Sequence, residues 1–207
     1  MLKLNRASIV ILAQAHNPSI ISPNWVQEVL SIKEPPSNFV HTPPFSLFDS
    51  ASFLLTVDIQ RLELVSKVLD EEHISDCGQA ASAYLRILPR IPYRSLGLNY
   101  IWAYSPEPSG KPLPQMKLVI DELNLSRLFN SRSIKYGGTV RVELKPYVLT
   151  VKMDYEDDQT LVLNYNFSYV IESVRKAANM TKSFLLLKNR SQALTESMLV
   201  GEKADNG

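Results

Sequence analysis

The chain has 207 residues, of which 45% are hydrophobic and 21% are charged. This is the composition of an ordinary water-soluble globular protein that is long enough to bury a substantial core. Its formal net charge of +1 gives no electrostatic argument for a nucleic-acid backbone or an anionic membrane as a partner. The single cysteine, Cys77, excludes an internal disulfide, so we expect a reducing, cytoplasmic location.

The N-terminal segment predicts a strand rather than a secretion signal. Lys3 and Arg6 precede a short apolar run at residues 8–12, and Ala13-Gln14-Ala15 imitates a cleavage site. The apolar run is shorter than the roughly 7–15 residues of a signal-peptide core, so we predict a strand over 7–14. No segment approaches the roughly 18 apolar residues that span a bilayer, so no membrane partner is expected.

A helix start and a proline-rich stretch follow. Ser22 can cap free backbone amides, and Pro23 fits the first helical position. The prolines at positions 35, 36, 43 and 44 then predict a loop without regular structure.

The rest of the first half predicts a hairpin and a second helix. Residues 53–57 pair naturally with residues 62–65 across a four-residue turn. Ser75 is the predicted start of the next helix, and Pro89 is its predicted end.

The second half is predicted to begin with a strand over residues 96–104 and a short helix over 116–123, after a proline-rich loop. Apolar and polar residues then alternate along three segments, 139–145, 149–155 and 161–167. Such alternation indicates antiparallel strands with one dry face and one wet face. The chain is predicted to be helical from there to about Val200, with a flexible polar tail at 201–207.

Together these elements predict an α+β fold in which a long C-terminal helix packs on one face of an antiparallel sheet. We predict one unit over 1–200. Both halves follow a similar β-α-β-β-α order, so the unit is hypothesised to consist of two similar halves, 1–90 and 91–200, that share a continuous sheet.

No catalytic, cofactor or metal signature rises above background. Asp154, Glu156 and Asp158 alternate as in a calcium loop, but the glycine and the bidentate glutamate of that motif are missing. His73 and Cys77 are four residues apart, but the chain has too few other ligands for a structural zinc site. We therefore predict no catalytic residue, no cofactor and no metal.

The last helix carries the strongest functional signal in the sequence. Phe184, Leu185, Leu186 and Leu187 are consecutive, and four successive residues point all around a helix. Either the helix is buried on two sides, or part of it contacts another chain. We predict these four residues as a partner interface.

Three segments carry a resemblance to a known family. They are residues 17–21 (NPSII), residues 55–64 (LTVDIQRLEL) and residues 96–101 (LGLNYI), together 21 of the 207 residues. With them the chain resembles a sporadically distributed family of uncharacterised prokaryotic proteins. In that family arginine is usual where Asn99 stands here. The resemblance implies an architecture, and it brings no activity or site residue.

The leading hypothesis for function is a non-enzymatic binding or assembly protein that uses the C-terminal helix or the open sheet face. Its expected partner is another protein or a second copy of the chain. The alternative is a small-ligand binder or an enzyme with a pocket between the sheet and the helices. The third hypothesis, nucleic-acid binding, is disfavoured by the near-neutral charge.

Overall fold

A computed structural model describes residues 1–106, 137–156 and 160–200. These residues form nine strands and four α-helices, so the predicted α+β class is confirmed. The strands are β1 (Leu2–Ala13), β2 (Asn38–Thr42), β3 (Phe45–Asp49), β4 (Phe53–Asp58), β5 (Arg61–Ser66), β6 (Tyr93–Tyr104), β7 (Gly138–Leu144), β8 (Tyr147–Tyr155) and β9 (Leu161–Val170). The helices are α1 (Pro23–Val29), α2 (Glu71–Ile87), α3 (Val174–Thr181) and α4 (Phe184–Val200), and a 3-10 turn spans Pro18–Ile20.

All nine strands belong to one antiparallel sheet in the order β2-β3-β4-β5-β1-β6-β9-β8-β7. The first and sixth strands pair at the centre, from Leu2 opposite Tyr104 to Ala13 opposite Tyr93. On one side of this pair the order is β1-β5-β4, and on the other it is β6-β9-β8. This is the continuous sheet that the two-halves hypothesis requires, although a common origin of the halves stays a prediction.

The helices cover one face of the sheet and define the core. Every second residue of the central strands points towards them, as the alternation predicts, and is buried. The long helix α2 contacts β1, β5, α1, α3 and α4, so it lies at the middle of the helical layer. Gly78 allows this packing, because a Cβ atom there would lie only 2.6 Å from the carbonyl oxygen of Thr181.

The predicted start of α2 at Ser75 is wrong. The helix begins at Glu71, and the Asp70 carboxylate caps it by accepting the His73 amide at 2.9 Å. Glu71 and Glu72 also place negative charge in the first turn, where it favours a helix start.

The predicted proline-rich loop over residues 35–44 is also wrong in part, because β2 and β3 form a hairpin there. Pro43 and Pro44 occupy the turn between the two strands, while Pro35 and Pro36 precede β2. Proline interrupts a sheet only where a backbone amide must join the ladder, and these four positions avoid that requirement.

The C-terminal region comprises two helices, and the prediction of a long final helix packed on one sheet face is confirmed. Aromatic side chains of the central strands bond to this helix. The Tyr100 hydroxyl donates to the Phe184 carbonyl at 2.6 Å, and the Trp102 indole N–H donates to Ser191 Oγ at 2.8 Å. These bonds satisfy polar atoms that would otherwise be buried without partners.

The apolar side chains of β7 are exposed, which corrects the prediction of a dry face along residues 139–145. Val140 is 45% exposed and Val142 is 39% exposed, because β7 is the last strand on its side of the sheet. The predicted helix over 116–123 and the predicted tail at 201–207 lie outside the described residues.

Candidate functional site

A depression with a volume of about 540 Å³ lies on the sheet face opposite the helices. We call it the polar groove. Its floor combines the apolar side chains of Val10, Leu12 and Ile101 with hydroxyl and amide side chains from four strands. The hydroxyl and amide residues are Ser8, Ser95, Asn99, Thr150, Asn164, Asn166 and Ser168. Charged side chains form its rim, namely Arg6, Arg61, Glu63 and Lys152.

The strand register brings four floor residues into one row across the sheet. Ser8 pairs with Asn99, Asn99 with Asn166, and Asn166 with Thr150. Directly paired residues of neighbouring antiparallel strands are in side-chain contact range, so the row forms one continuous polar strip. The strip crosses β1, β6, β9 and β8 near the middle of the sheet.

Two irregularities shape the groove. The register shifts between Leu4 and Arg6 on β1, so that Leu4 pairs on the helix side while Arg6 faces the groove. Gly97 has no side chain, and a Cβ atom at this position would lie 3.6 Å from Asn99 Nδ2 and 3.7 Å from Asn166 Nδ2, which is ordinary contact distance. The absence of a side chain at Gly97 therefore deepens the groove at this position, although the fold has room for a Cβ atom there.

The asparagine side chains of the floor have amide donors and acceptors that the described parts of the chain leave unused. Asn99 Nδ2 makes only long contacts, 3.5 Å to the Ser8 carbonyl and 3.4 Å to the Gly97 carbonyl. Within the described parts of the chain, the side chains of Asn164 and Asn166 form no hydrogen bond. Each primary amide offers two donor hydrogens and one acceptor oxygen, so the floor can bind a partner that both donates and accepts.

One end of the rim carries two guanidinium groups, and the Asp58 carboxylate, which accepts the Arg61 backbone amide at 2.8 Å, lies beside it. Glu63 accepts Arg6 on one carboxylate oxygen at 2.8 Å and Arg61 on the other at 2.9 Å. Within the groove lining, one carboxylate thus faces two guanidinium groups. At the other end Lys152 lies 3.4 Å from the Asp154 carboxylate. An anionic group on a partner would therefore be favoured at the arginine end.

The aromatic rings near the groove are engaged on the helix side of the sheet. The Tyr100 hydroxyl bonds to α4, and the Tyr165 hydroxyl lies 2.8 Å from Thr195 Oγ1. Burial raises the pKa of Tyr165 to about 12. These two rings do not offer the exposed platform on which nucleic-acid bases stack, so the groove gives no support to the nucleic-acid hypothesis.

The structure divides the predicted interface residues of α4 between the core and the surface. Phe184 and Leu187 are buried, and Leu185 is half-buried. Leu186 is 67% exposed. Phe184 stacks on Tyr100 with ring centroids 5.0 Å apart, so its role within the chain is core packing. A partner interface at this helix stays a prediction, and within the four residues it rests mainly on Leu186.

The other sequence candidates do not meet in one place. Cys77 is fully buried, and burial raises the pKa of its thiol, whereas His73 bonds to Asp70 at 2.7 Å. Among the described residues no group of three or more His, Cys, Asp and Glu side chains could hold a metal ion. No helix in the described ranges is long and apolar enough to cross a membrane.

The sequence analysis did not identify the polar groove. The wet face of each strand was visible as alternation, but the pairing of Ser8, Asn99, Asn166 and Thr150 depends on strands from both ends of the chain.

A scan against protein-family models finds no match to this chain, and a search of curated proteins finds none either.

Proposed function

We propose that this protein is a non-enzymatic binding module that receives a polar segment of a partner protein in the polar groove. The observation that carries the proposal is the strip of Ser8, Asn99, Asn166 and Thr150, whose amides retain free donors and acceptors. A peptide segment matches it, because every peptide group and every uncharged polar side chain brings its own donors and acceptors.

The rim supports a preference within that class. Among the residues that line the groove, Arg6 and Arg61 share the carboxylate of Glu63, so two guanidinium groups and one carboxylate face a partner at that end. An uncharged polar segment that ends in an acidic residue would place its carboxylate beside the two guanidinium groups. Such an interaction is partly solvent-exposed and is expected to weaken with added salt.

A displayed library of random peptides, selected on the immobilised protein, tests this proposal. We expect enrichment of polar peptides with an acidic residue near one end. Their affinity should fall about tenfold or more in Asn166→Leu, which keeps a similar volume but removes one amide from the centre of the strip. The affinity is measured by isothermal titration with synthetic copies of the enriched peptides.

Two control variants locate the binding surface. Val170→Ser changes an exposed residue of β9 beyond the groove lining, and Leu186→Ser changes the exposed residue of α4. Both should leave the affinity unchanged. If the enriched peptides bind Asn166→Leu as well as they bind the natural protein, the groove is not the binding site. Loss of binding in Leu186→Ser alone would move the site to the terminal helix.

A further inference from the structure

The outer edge of the sheet at β7 has unpaired backbone groups and exposed apolar side chains. Among the residues that the structure describes, β7 is the last strand on its side of the sheet, so alternate backbone N–H and C=O groups point away from β8. Val140 and Val142, which the alternation marks as residues of a covered face, are exposed on the helix side. An edge strand of this kind is a template for pairing with another strand.

The charges on the other face of β7 identify the strand that would fit. Arg141 and Glu143 are two residues apart on the open face, and both are exposed. Neither forms an ion pair within the described ranges of the chain. A strand that pairs antiparallel with β7 gains most when it carries the opposite charges in the opposite order.

β7 itself satisfies that condition. When two copies of β7 run antiparallel about a twofold axis through Val142, Arg141 of each chain faces Glu143 of the other. The same register places Val142 opposite its own symmetry mate and Val140 opposite the partner's Leu144. All six apolar side chains then lie together on the helix side, and both arginine–glutamate pairs lie on the open face.

Other registers are less favourable. A twofold axis through Arg141 would bring two guanidinium groups together, and an axis through Glu143 would bring two carboxylates together, which destabilises a cross-strand pair. The opposite edge of the sheet, β2, has the sequence NFVHT and offers no Arg, Lys, Asp or Glu for such pairing. Charge complementarity therefore singles out β7 and one register.

We propose that two copies of this chain form a dimer by antiparallel pairing of β7 with β7 about a twofold axis through Val142. The two described sheets then form one continuous sheet of eighteen strands, with the described helices on one side. The exposed valines gain apolar cross-strand neighbours, and the edge amides and carbonyls gain hydrogen-bond partners. This proposal goes beyond the proposed peptide binding and does not rest on it.

Charge exchange between the two positions tests the register. In Arg141→Glu both cross-strand pairs become glutamate–glutamate pairs, and in Glu143→Arg both become arginine–arginine pairs. We expect each single variant to weaken the dimer about tenfold or more, because two attractions become two repulsions. The molar mass is measured by light scattering after size exclusion, over a range of micromolar concentrations.

Two restorations make the test specific. The double variant Arg141→Glu/Glu143→Arg recreates opposite charges in the same register and should form a dimer like the natural protein. An equimolar mixture of the two single variants should form a heterodimer, because one chain then carries only negative and the other only positive side chains at these positions. Circular dichroism checks that every variant is folded, as expected for exposed positions.

Each outcome decides the proposal. A natural protein that is monomeric at these concentrations overturns it, and so do single variants that dimerise as tightly as the natural protein. If both single variants dissociate and neither restoration works, the predicted register is wrong and the proposal falls. Dissociation of Leu186→Ser, with Arg141→Glu still dimeric, would assign assembly to the terminal helix instead.

Discussion

The fold holds the ring of His16 in a defined neutral form. Its ring is 5% exposed, with Nδ1 2.9 Å from the Tyr84 hydroxyl and Nε2 3.1 Å from the Ile11 carbonyl oxygen. The carbonyl can only accept, so Nε2 carries the hydrogen, and the tyrosine then donates to Nδ1 in the neutral ring. Burial lowers the pKa of His16 below 6.5, against the opposing effects of the Ile11 carbonyl and Asp58.

We predict from this that His16 makes the protein less stable in mild acid. Above pH 6.5 the ring is neutral in both the folded and the unfolded chain, so the free energy of unfolding is not reduced by protonation of His16. As the pH falls below that value, His16 binds a proton in the unfolded chain but remains neutral in the folded chain. The free energy of unfolding should fall by up to about 1.4 kcal/mol per pH unit until the folded pKa is reached.

Urea unfolding of the natural protein and of His16→Gln, measured between pH 7.5 and about pH 5, checks the sign. The pH slope should be smaller in His16→Gln. His73→Gln serves as the control, because Asp70 raises the pKa of His73 and its contribution is therefore lost as pH rises. An equal slope in the natural protein and His16→Gln would show that this ring does not control the acid response.

At the scale of elements, the attachment of α4 to the sheet depends on a few polar bonds within an apolar contact. Ser191 is buried, accepts the Trp102 indole N–H and donates to the Lys188 carbonyl at 2.7 Å. Ser191→Ala would leave the indole N–H without this partner in the core. We predict a loss of about 1–3 kcal/mol in the free energy of unfolding, measured by chemical denaturation.

Ser197 provides a matched control on the same helix. Its hydroxyl donates to the Ala193 carbonyl at 2.9 Å, much as Ser191 bonds within the helix, but it is exposed and receives no bond from the sheet. Ser197→Ala should change the stability by less than about 0.5 kcal/mol. Equal losses in both variants would mean that the indole contact contributes nothing beyond helix-internal effects.

The elements also show what the sequence could predict. Alternation identified β7, β8 and β9, because each strand has one buried or potentially buried face. The β2–β3 hairpin was missed, because proline excludes a strand interior but is compatible with the turn at Pro43 and Pro44. The start of α2 was placed too late at Ser75, although Asp70, followed by the acidic residues Glu71 and Glu72, is a local start signal that the sequence already contains.

At the scale of the whole molecule, the two halves depend on each other through the central pair of strands. β1 and β6 pair over most of their length, and α2 of the first half packs against α3 and α4 of the second. The hypothesis of two similar halves therefore does not imply two independent units. Each half alone would expose one edge of a long central strand and part of the helical core.

We predict that a fragment of residues 1–90 does not fold stably by itself. It lacks β6, α3 and α4, so β1 loses a neighbour and Gly78 of α2 loses the residues packed against it. The fragment should show no cooperative thermal transition by circular dichroism. Co-expression with a fragment of residues 91–207 should restore one. A cooperative transition in the 1–90 fragment alone would establish it as a domain.

The polar groove is predictable only at this largest scale. Residues Ser8, Asn99, Asn166 and Thr150 look like ordinary wet-face positions in their own segments, where a serine or asparagine needs no explanation. They form one strip only because of the strand register, which brings Ser8 and Thr150, more than a hundred residues apart in the chain, into the same row. Sequence patterns report which face a residue occupies, and they do not report which residues stand beside it.

The central position of β1 also determines when the sheet can be completed during synthesis. β1 cannot be paired on both sides before β6 is synthesised, and β6 cannot be paired on both sides before β9, which ends at Val170. Until then the middle of the future sheet is an open edge, at which nascent chains can associate wrongly. We expect this edge to stay unpaired until the residues up to Val170 have been synthesised and have left the ribosome.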